Sequence, residues 1–133
     1  MSRVKYDLEE RLLEYAARII RFVERLPNTR AGNHVAGQLL RSGTSPLPNH
    51  GEAQAAESRD DFIHKLKVCL KELHESRRWL QLIKIVPLIS PASQVDSLIL
   101  ETEELIKIFA ASIRTARKGA GQADSGSSFG VQR

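Results

Sequence analysis

Two sets of cationic side chains recur at helical spacing, and both have the chemistry to hold phosphate. Arg11, Arg18 and Arg25 stand seven residues apart. On an α-helix each is rotated only about 20° from the last, and Arg21 falls beside them. Guanidinium groups match phosphate oxygens in charge and geometry. Glu14 stands four residues before Arg18, the arrangement of an i,i+4 ion pair, so this stripe reads equally as a solvated helix face. Lys67, Lys71, His74 and Arg78 form a second stripe, within about 60° of each other on a helix. It lies opposite an apolar seam and has only Asp60 and Glu75 near it. The candidate phosphate contacts are therefore Lys67, Lys71 and Arg78, then Arg18 and Arg25, with Arg11 and Arg21 in the same row.

Other chemistry finds little support. The four histidines, His34, His50, His64 and His74, form no i,i+4 pair and no His-Glu-x-x-His, so no metal site is expected. Cys69 falls in the apolar seam and reads as a buried small hydrophobe without a histidine partner. No glycine-rich loop precedes a helix to cradle phosphate. No catalytic residue, cofactor or enzymatic activity is expected. Aromatic residues are few, at 5%, and none interleaves with the basic stripes. This argues for recognition of the nucleic-acid backbone rather than stacking on bases.

Four segments must position these residues. In the first, Leu8, Leu12, Tyr15, Ile19, Val23 and Leu26 recur at steps of three or four, with Asp7 and Glu10 spaced as a capping box. The second runs from Thr29 to Gln54. Val35, Leu39 and Ser42 can face a core, small Gly32, Ala36, Gly37 and Gly43 allow a close neighbour, and a kink or break is expected at Pro46–Pro48. The third, Arg59 to Ile85, has the strongest signal. Phe62, Leu66, Cys69, Leu73, Ser76, Leu80 and Ile83 form a heptad seam, preceded by a Ser58–Asp61 capping pattern. The fourth places Val95, Leu98, Thr102, Leu105, Phe109 and Ile113 on one face, with Ser90 as expected N-cap, Pro91 at the first helical position and an end near Arg117. Trp79, Leu82 and Val86 share a flank off the third seam, and Leu100 and Ile108 lie off the fourth face. Either a wide core stripe absorbs them or they form an oligomer interface.

These elements predict an all-α, antiparallel up-down four-helix bundle over residues 1–118, with a flexible Gly/Ser-rich tail over 119–133. The 133 residues suffice for one domain, and 41% hydrophobic with 27% charged residues excludes a disordered chain. One cysteine excludes an intramolecular disulfide framework and fits a reducing compartment. No apolar run approaches the ~20 residues needed to cross a bilayer, and Met1–Asp7 has no apolar signal core. A cytoplasmic protein without membrane contact is expected. The net charge of +4 permits an anionic partner without demanding one. Basic residues lead by seven to five over 3–30 and by seven to four over 59–86, and balance at four each over 91–118.

The end of the second segment carries a resemblance. Arg41-Ser42-Gly43-Thr44-Ser45-Pro46-Leu47-Pro48-Asn49-His50-Gly51-Glu52-Ala53 is similar to the pattern Arg-Ala-Ala-x-Ser-Ile/Val-Pro-x-Asn-Ile-Ala-Glu-Gly. That pattern belongs to the four-helix-bundle proteins associated with intervening sequences in bacterial 23S ribosomal RNA genes. Arg41, Ser45, Asn49 and Glu52 match it. Ser58-Arg59-Asp60-Asp61-Phe62 resembles the family's Ser-x-x-Glu-Phe, and Lys71-Glu72-Leu73 its Glu-Leu pair. Two prolines straddle the family's one, His50 replaces an aliphatic residue and Ala53 a glycine. The same family is similar to the accessory protein of diversity-generating retroelements, and the resemblance covers roughly Tyr6 to Arg117. It implies a homopentameric bundle that binds RNA, DNA or a nucleic-acid enzyme and has no enzymatic activity. Asn49 and Glu52 themselves read either as a polar site at a junction or as local caps, their oxygens meeting N–H groups freed by the prolines. A scaffold that binds another protein and no nucleic acid is the alternative function.

Overall fold

Leu12, Tyr15, Ile19, Phe22 and Val23 line one side of helix α1, Leu8–Val23, and all five are buried. The computed structural model describes residues 7–122, the side chains of 120–122 excepted. Asp7 occupies the N-cap position of α1 in extended backbone but makes no side-chain hydrogen bond to the first turn, so the expected capping box is absent. Asp7 is exposed, where water satisfies the free N–H groups of a helix start instead.

The second segment forms α2, Arg30–Thr44, and α3, Pro46–Gln54. Thr29 caps α2, its hydroxyl accepting from the Gly32 N–H at 3.0 Å. Between the two helices only Ser45 intervenes, and its dihedrals stay helical (φ −64°, ψ −36°). The Ser45 N–H donates to Arg41, and its carbonyl accepts from Asn49, both at 3.2 Å. The interruption at the prolines is thus one residue wide. Pro46 and Pro48 fall in the first turn of α3, where a helix leaves its N–H groups unpaired in any case.

Helix α4, Arg59–Ile85, is capped as its sequence suggests, with Ser58 Oγ accepting from the Asp61 N–H at 3.0 Å. Leu66, Cys69, Leu73, Ser76, Leu80 and Ile83 are buried along its seam. The fourth segment begins differently from expectation. Pro91 is extended, a 3₁₀ turn spans Ala92–Val95, and α5 runs Asp96–Gln122. Gln94 holds the tighter turn, its N–H donating to the Pro91 carbonyl at 3.1 Å and its Nε2 to the Ser90 carbonyl at 2.7 Å. At the other end the helix passes the expected stop near Arg117, so Gly119–Gln122 belong to α5 rather than to a tail. The rest of the 119–133 segment lies outside the described residues.

Paired side chains fix the topology. As numbers rise on α1, partners fall on α5: Arg11 meets Glu101 and Arg18 meets Ser97. Arg41 meets Glu72 and Glu52 meets Lys65, so α2–α3 runs against α4. Lys84 meets Asp96, Arg77 meets Glu103, and Arg59 meets the Ala116 carbonyl, so α4 runs against α5. With α2 and α3 acting as one rod, this is an antiparallel four-helix bundle, and no strand occurs among the described residues. Its core joins Leu12, Ile19, Leu39, Leu66, Leu73, Leu80, Leu105 and Phe109, and Gly43 lets α2 sit directly on Ile19.

Each of the four rods contributes one hydroxyl to the middle of this core. Tyr15, Ser42, Ser76 and Thr102 are at most 1% exposed. Thr102 Oγ1 lies 2.6 Å from both the Leu98 carbonyl and the Tyr15 hydroxyl. Its single hydrogen goes to the carbonyl, so Tyr15 donates to Thr102. Ser42 and Ser76 pair at 2.8 Å. Burial pushes the Tyr15 phenol up to about 12, which keeps it a donor at physiological pH. Tyr15→Phe should cost about 1–2 kcal/mol. Thr102→Val should then cost less in the Tyr15→Phe background than alone, because its partner is already gone. Urea titrations of the two singles and the double measure this coupling, and strict additivity would contradict the bond.

Candidate nucleic-acid interface

The two basic stripes meet different fates. Arg11 on α1 forms a two-pronged ion pair with Glu101 on α5, at 2.7 and 3.0 Å. Arg18 donates to Ser97 Oγ at 2.9 Å rather than pairing with Glu14. Arg25 lies over the Phe22 ring, 5.6 Å from its centroid, and Arg21 is exposed. Half of this row is therefore engaged in fastening α1 to α5. On α4, Lys67, Lys71, His74 and Arg78 all face solvent. Among the described residues Lys67, Lys71 and Arg78 enter no ion pair. The nearby acid Glu75 is turned away from them, toward Arg41 at 2.5 Å and the Trp79 indole N–H at 3.4 Å.

The residues that carry the family resemblance serve the fold. Arg41 on α2 reaches Glu72 at 3.2 Å and Glu75 at 2.5 Å on α4, and these acids hold its guanidinium above its ordinary value. Glu72 is buried and relies on that partner. Glu52 on α3 pairs with Lys65 on α4 at 2.7 Å. Asn49 Nδ2 donates to the Ser45 carbonyl and to Ser45 Oγ, both at 3.0 Å. Asn49 is thus a donor, not the acceptor the sequence suggested. A proline removes an N–H, so what the α2–α3 junction lacks is donors.

Of the off-seam apolar residues, Trp79 packs partly against the core and stands edge-on to His34 at 6.0 Å. Ile108 is likewise packed against the core. Leu82 is 42% exposed, Val86 56% and Leu100 64%, and Ile85 joins them at 79%. Together Leu82, Ile85 and Val86 leave an apolar patch at the C-terminal end of α4.

Reactive groups are held quiet. Cys69 donates to the Pro46 carbonyl at 3.6 Å, and burial pushes its thiol up to about 12, so it stays protonated. Among the described residues no three His, Cys, Asp or Glu side chains gather into a metal site. His50 is buried edge-on against Phe109, 6.1 Å away, with Gln54 Nε2 3.3 Å from its Nε2 and no hydrogen-bond partner for Nδ1. Burial holds His50 below its ordinary value, against the opposing pull of Glu9 on α1 and Asp7 at its N-cap. The unfolded chain then binds a proton more readily than the fold, so the His50 contribution is full above pH ~6.5 and declines as pH falls below it. His74 shifts in the same direction. The urea midpoint should drop between pH 7.5 and pH 5.5, and His50→Gln should reduce that drop. An unchanged drop in His50→Gln would contradict the assignment.

No helix among the described residues is long and apolar enough to cross a membrane. No curated protein sequence matches the chain. A solved structure from Bacteroides thetaiotaomicron, of a protein with unknown function from the S23 ribosomal protein family, is similar at 36% identity and a TM-score of 0.74. The match covers 80% of this chain and 98% of that one. The profile of the 23S rRNA-intervening sequence proteins matches residues 5–111, which spans all of α1 to α4 and most of α5, and the chain belongs to that family.

Proposed function

We propose that this protein is a non-enzymatic, oligomeric, cytoplasmic bundle protein that binds the phosphate backbone of nucleic acid through the outer face of α4. The observation that carries this reading is the trio of Lys67, Lys71 and Arg78. They are exposed, aligned along one helix face and without an ion pair among the described residues, whereas Arg11, Lys65, Arg77 and Lys84 on the flanks of the bundle are ion-paired. Such cations release counterions from phosphate at little cost to the fold. A homopentamer, as the family resemblance implies, would repeat the face and add avidity.

Lys67→Glu combined with Lys71→Glu should weaken binding to a structured RNA hairpin and a DNA duplex by about tenfold or more at low salt. It should also lower the salt slope by about two. Both side chains are exposed, so the circular dichroism spectrum should not change. Unchanged affinity would take α4 out of the interface.

The patch of Leu82, Ile85 and Val86 favours a second reading, a scaffold that binds protein alone. A pull-down at high salt separates the two, since apolar contacts survive there and phosphate contacts fade. Partner protein retained with no nucleic acid bound at any salt would favour the scaffold.

A further inference from the structure

We infer that the nucleic-acid face spans two helices, continuing from Lys67 and Lys71 on α4 to Arg114, Arg117 and Lys118 at the C-terminal end of α5, and that it takes duplex backbone. This rests on the proposed function and extends it to residues that charge counting conceals. Between Asp96 and Lys118 the charges balance in number but not in place. The four acids come first, and each is matched: Asp96 by Lys84 at 2.7 Å, Glu101 by Arg11 at 2.7 Å, Glu103 by Arg77 at 4.0 Å and Glu104 by Lys107 at 3.5 Å. The bases Arg114, Arg117 and Lys118 follow. All three are exposed, and none enters an ion pair among the described residues. The balance is therefore consumed within the bundle, and the surplus is left at one end.

Register brings that end to α4. Arg59 Nη1 donates to the Ala116 carbonyl at 3.3 Å, and Arg77 meets Glu103. Counting from these contacts, Arg114 and Arg117 lie level with the first turns of α4, and Lys67 lies about one turn further along α4. Packed helices stand about 8–10 Å apart, so the face presents two cation rows rather than one. Asp60 and Asp61 bound it at the start of α4. Phosphate rows flanking a duplex groove match such a double track, because both strands carry charge side by side. Single strands are held on aromatic platforms, and none of these exposed residues is aromatic. A face this polar also gives a lipid bilayer no apolar residue to insert.

Three double variants with the same charge change test the inference: Arg114→Glu with Arg117→Glu, Lys67→Glu with Lys71→Glu, and Arg30→Glu with Lys84→Glu at the opposite end of the bundle. Binding of the full chain to a DNA duplex, an RNA hairpin and a single-stranded oligonucleotide is measured over a salt series. The α5 and α4 variants should each lose about tenfold or more in duplex affinity and about two from the salt slope, while the Arg30/Lys84 variant stays near wild type. Arg114→Gln with Arg117→Gln, which keeps good helix formers in α5, should lose the same slope and so exclude fraying of the helix as the cause. Loss in the α4 variant alone would overturn the inference and leave the proposed function standing. Equal loss in all three would reduce the effect to net charge and overturn the face. Tighter binding to the single strand than to either duplex would overturn the duplex assignment. No binding by the wild type would overturn the proposed function and this inference with it.

Discussion

Phe109→Ala should lower the unfolding free energy by about 3–5 kcal/mol, the range for deleting a buried aromatic ring. Phe109 is fully buried on the inner face of α5 and belongs to the same core cluster as Leu105 and Ile113. It also stands edge-on to His50 of α3, with centroids 6.1 Å apart and planes 89° apart, a favourable aromatic geometry. The residue therefore ties α5 to α3, and removing it opens a cavity beside an imidazole whose Nδ1 already lacks a partner. Phe109→Leu keeps most of the volume and should cost far less. Urea unfolding at fixed protein concentration measures both, since association would otherwise shift the apparent value. A cost below about 1 kcal/mol for Phe109→Ala would mean that the site collapses freely, contrary to the close packing described.

Gly32→Ala should cost about 3 kcal/mol, and Gly37→Ala, five residues along the same helix, should stabilise by about 0.5–1 kcal/mol. A Cβ on Gly32 would come 2.1 Å from the Pro27 carbonyl oxygen and 3.0 Å from both Pro27 Cγ and Thr29 Oγ1. The nearest of these is backbone, which cannot swing aside. The α1–α2 turn must open, and the hydrogen bond from the Gly32 N–H to Thr29 is lost with it, a cap contact worth about 1 kcal/mol. A Cβ on Gly37 meets nothing within 4 Å, so alanine there gains helix propensity without a clash. Thermal or urea unfolding of the two variants should give shifts of opposite sign. Shifts of the same sign would contradict the packing of the turn.

The contrast between these glycines marks what could be read in the chain. The small residues of the second segment suggest close approach, and Gly32 and Gly43 do lie against a neighbour, Gly43 with Ile19 atoms 2.8–3.1 Å from its added Cβ. Gly37 faces open space, and composition alone does not separate the three. Periodicity within a helix is local, so the α4 seam, its Ser58 cap and the inner face of α5 are all legible. Relations between helices are not. Ser42, Ser76 and Thr102 read as core positions, yet their meeting with Tyr15 in one hydroxyl layer depends on the register of four rods.

The same limit governs the candidate interface. The outward stripe of α4 needs only helical geometry, and Lys67, Lys71 and Arg78 lie where that geometry puts them. The stripe of α1 needed knowledge of α5, because Glu101 and Ser97, some eighty residues or more away in sequence, take up Arg11 and Arg18. Arg41 and Glu52 are similar. Their motif is recognisable, but the acids and lysine that explain it stand on α4. On α5 the signal lay in the order of the charges, acids before bases, which a sum over the segment erases.

The most direct test of the central claim is the affinity of the 133-residue chain for a DNA duplex and a structured RNA hairpin, measured from low to physiological salt. Micromolar or tighter binding at low salt is expected, with log K falling linearly against log salt at a slope of several phosphate contacts. Absence of binding to either nucleic acid at the lowest salt would contradict the claim and leave the exposed cations of α4 as a solvating surface.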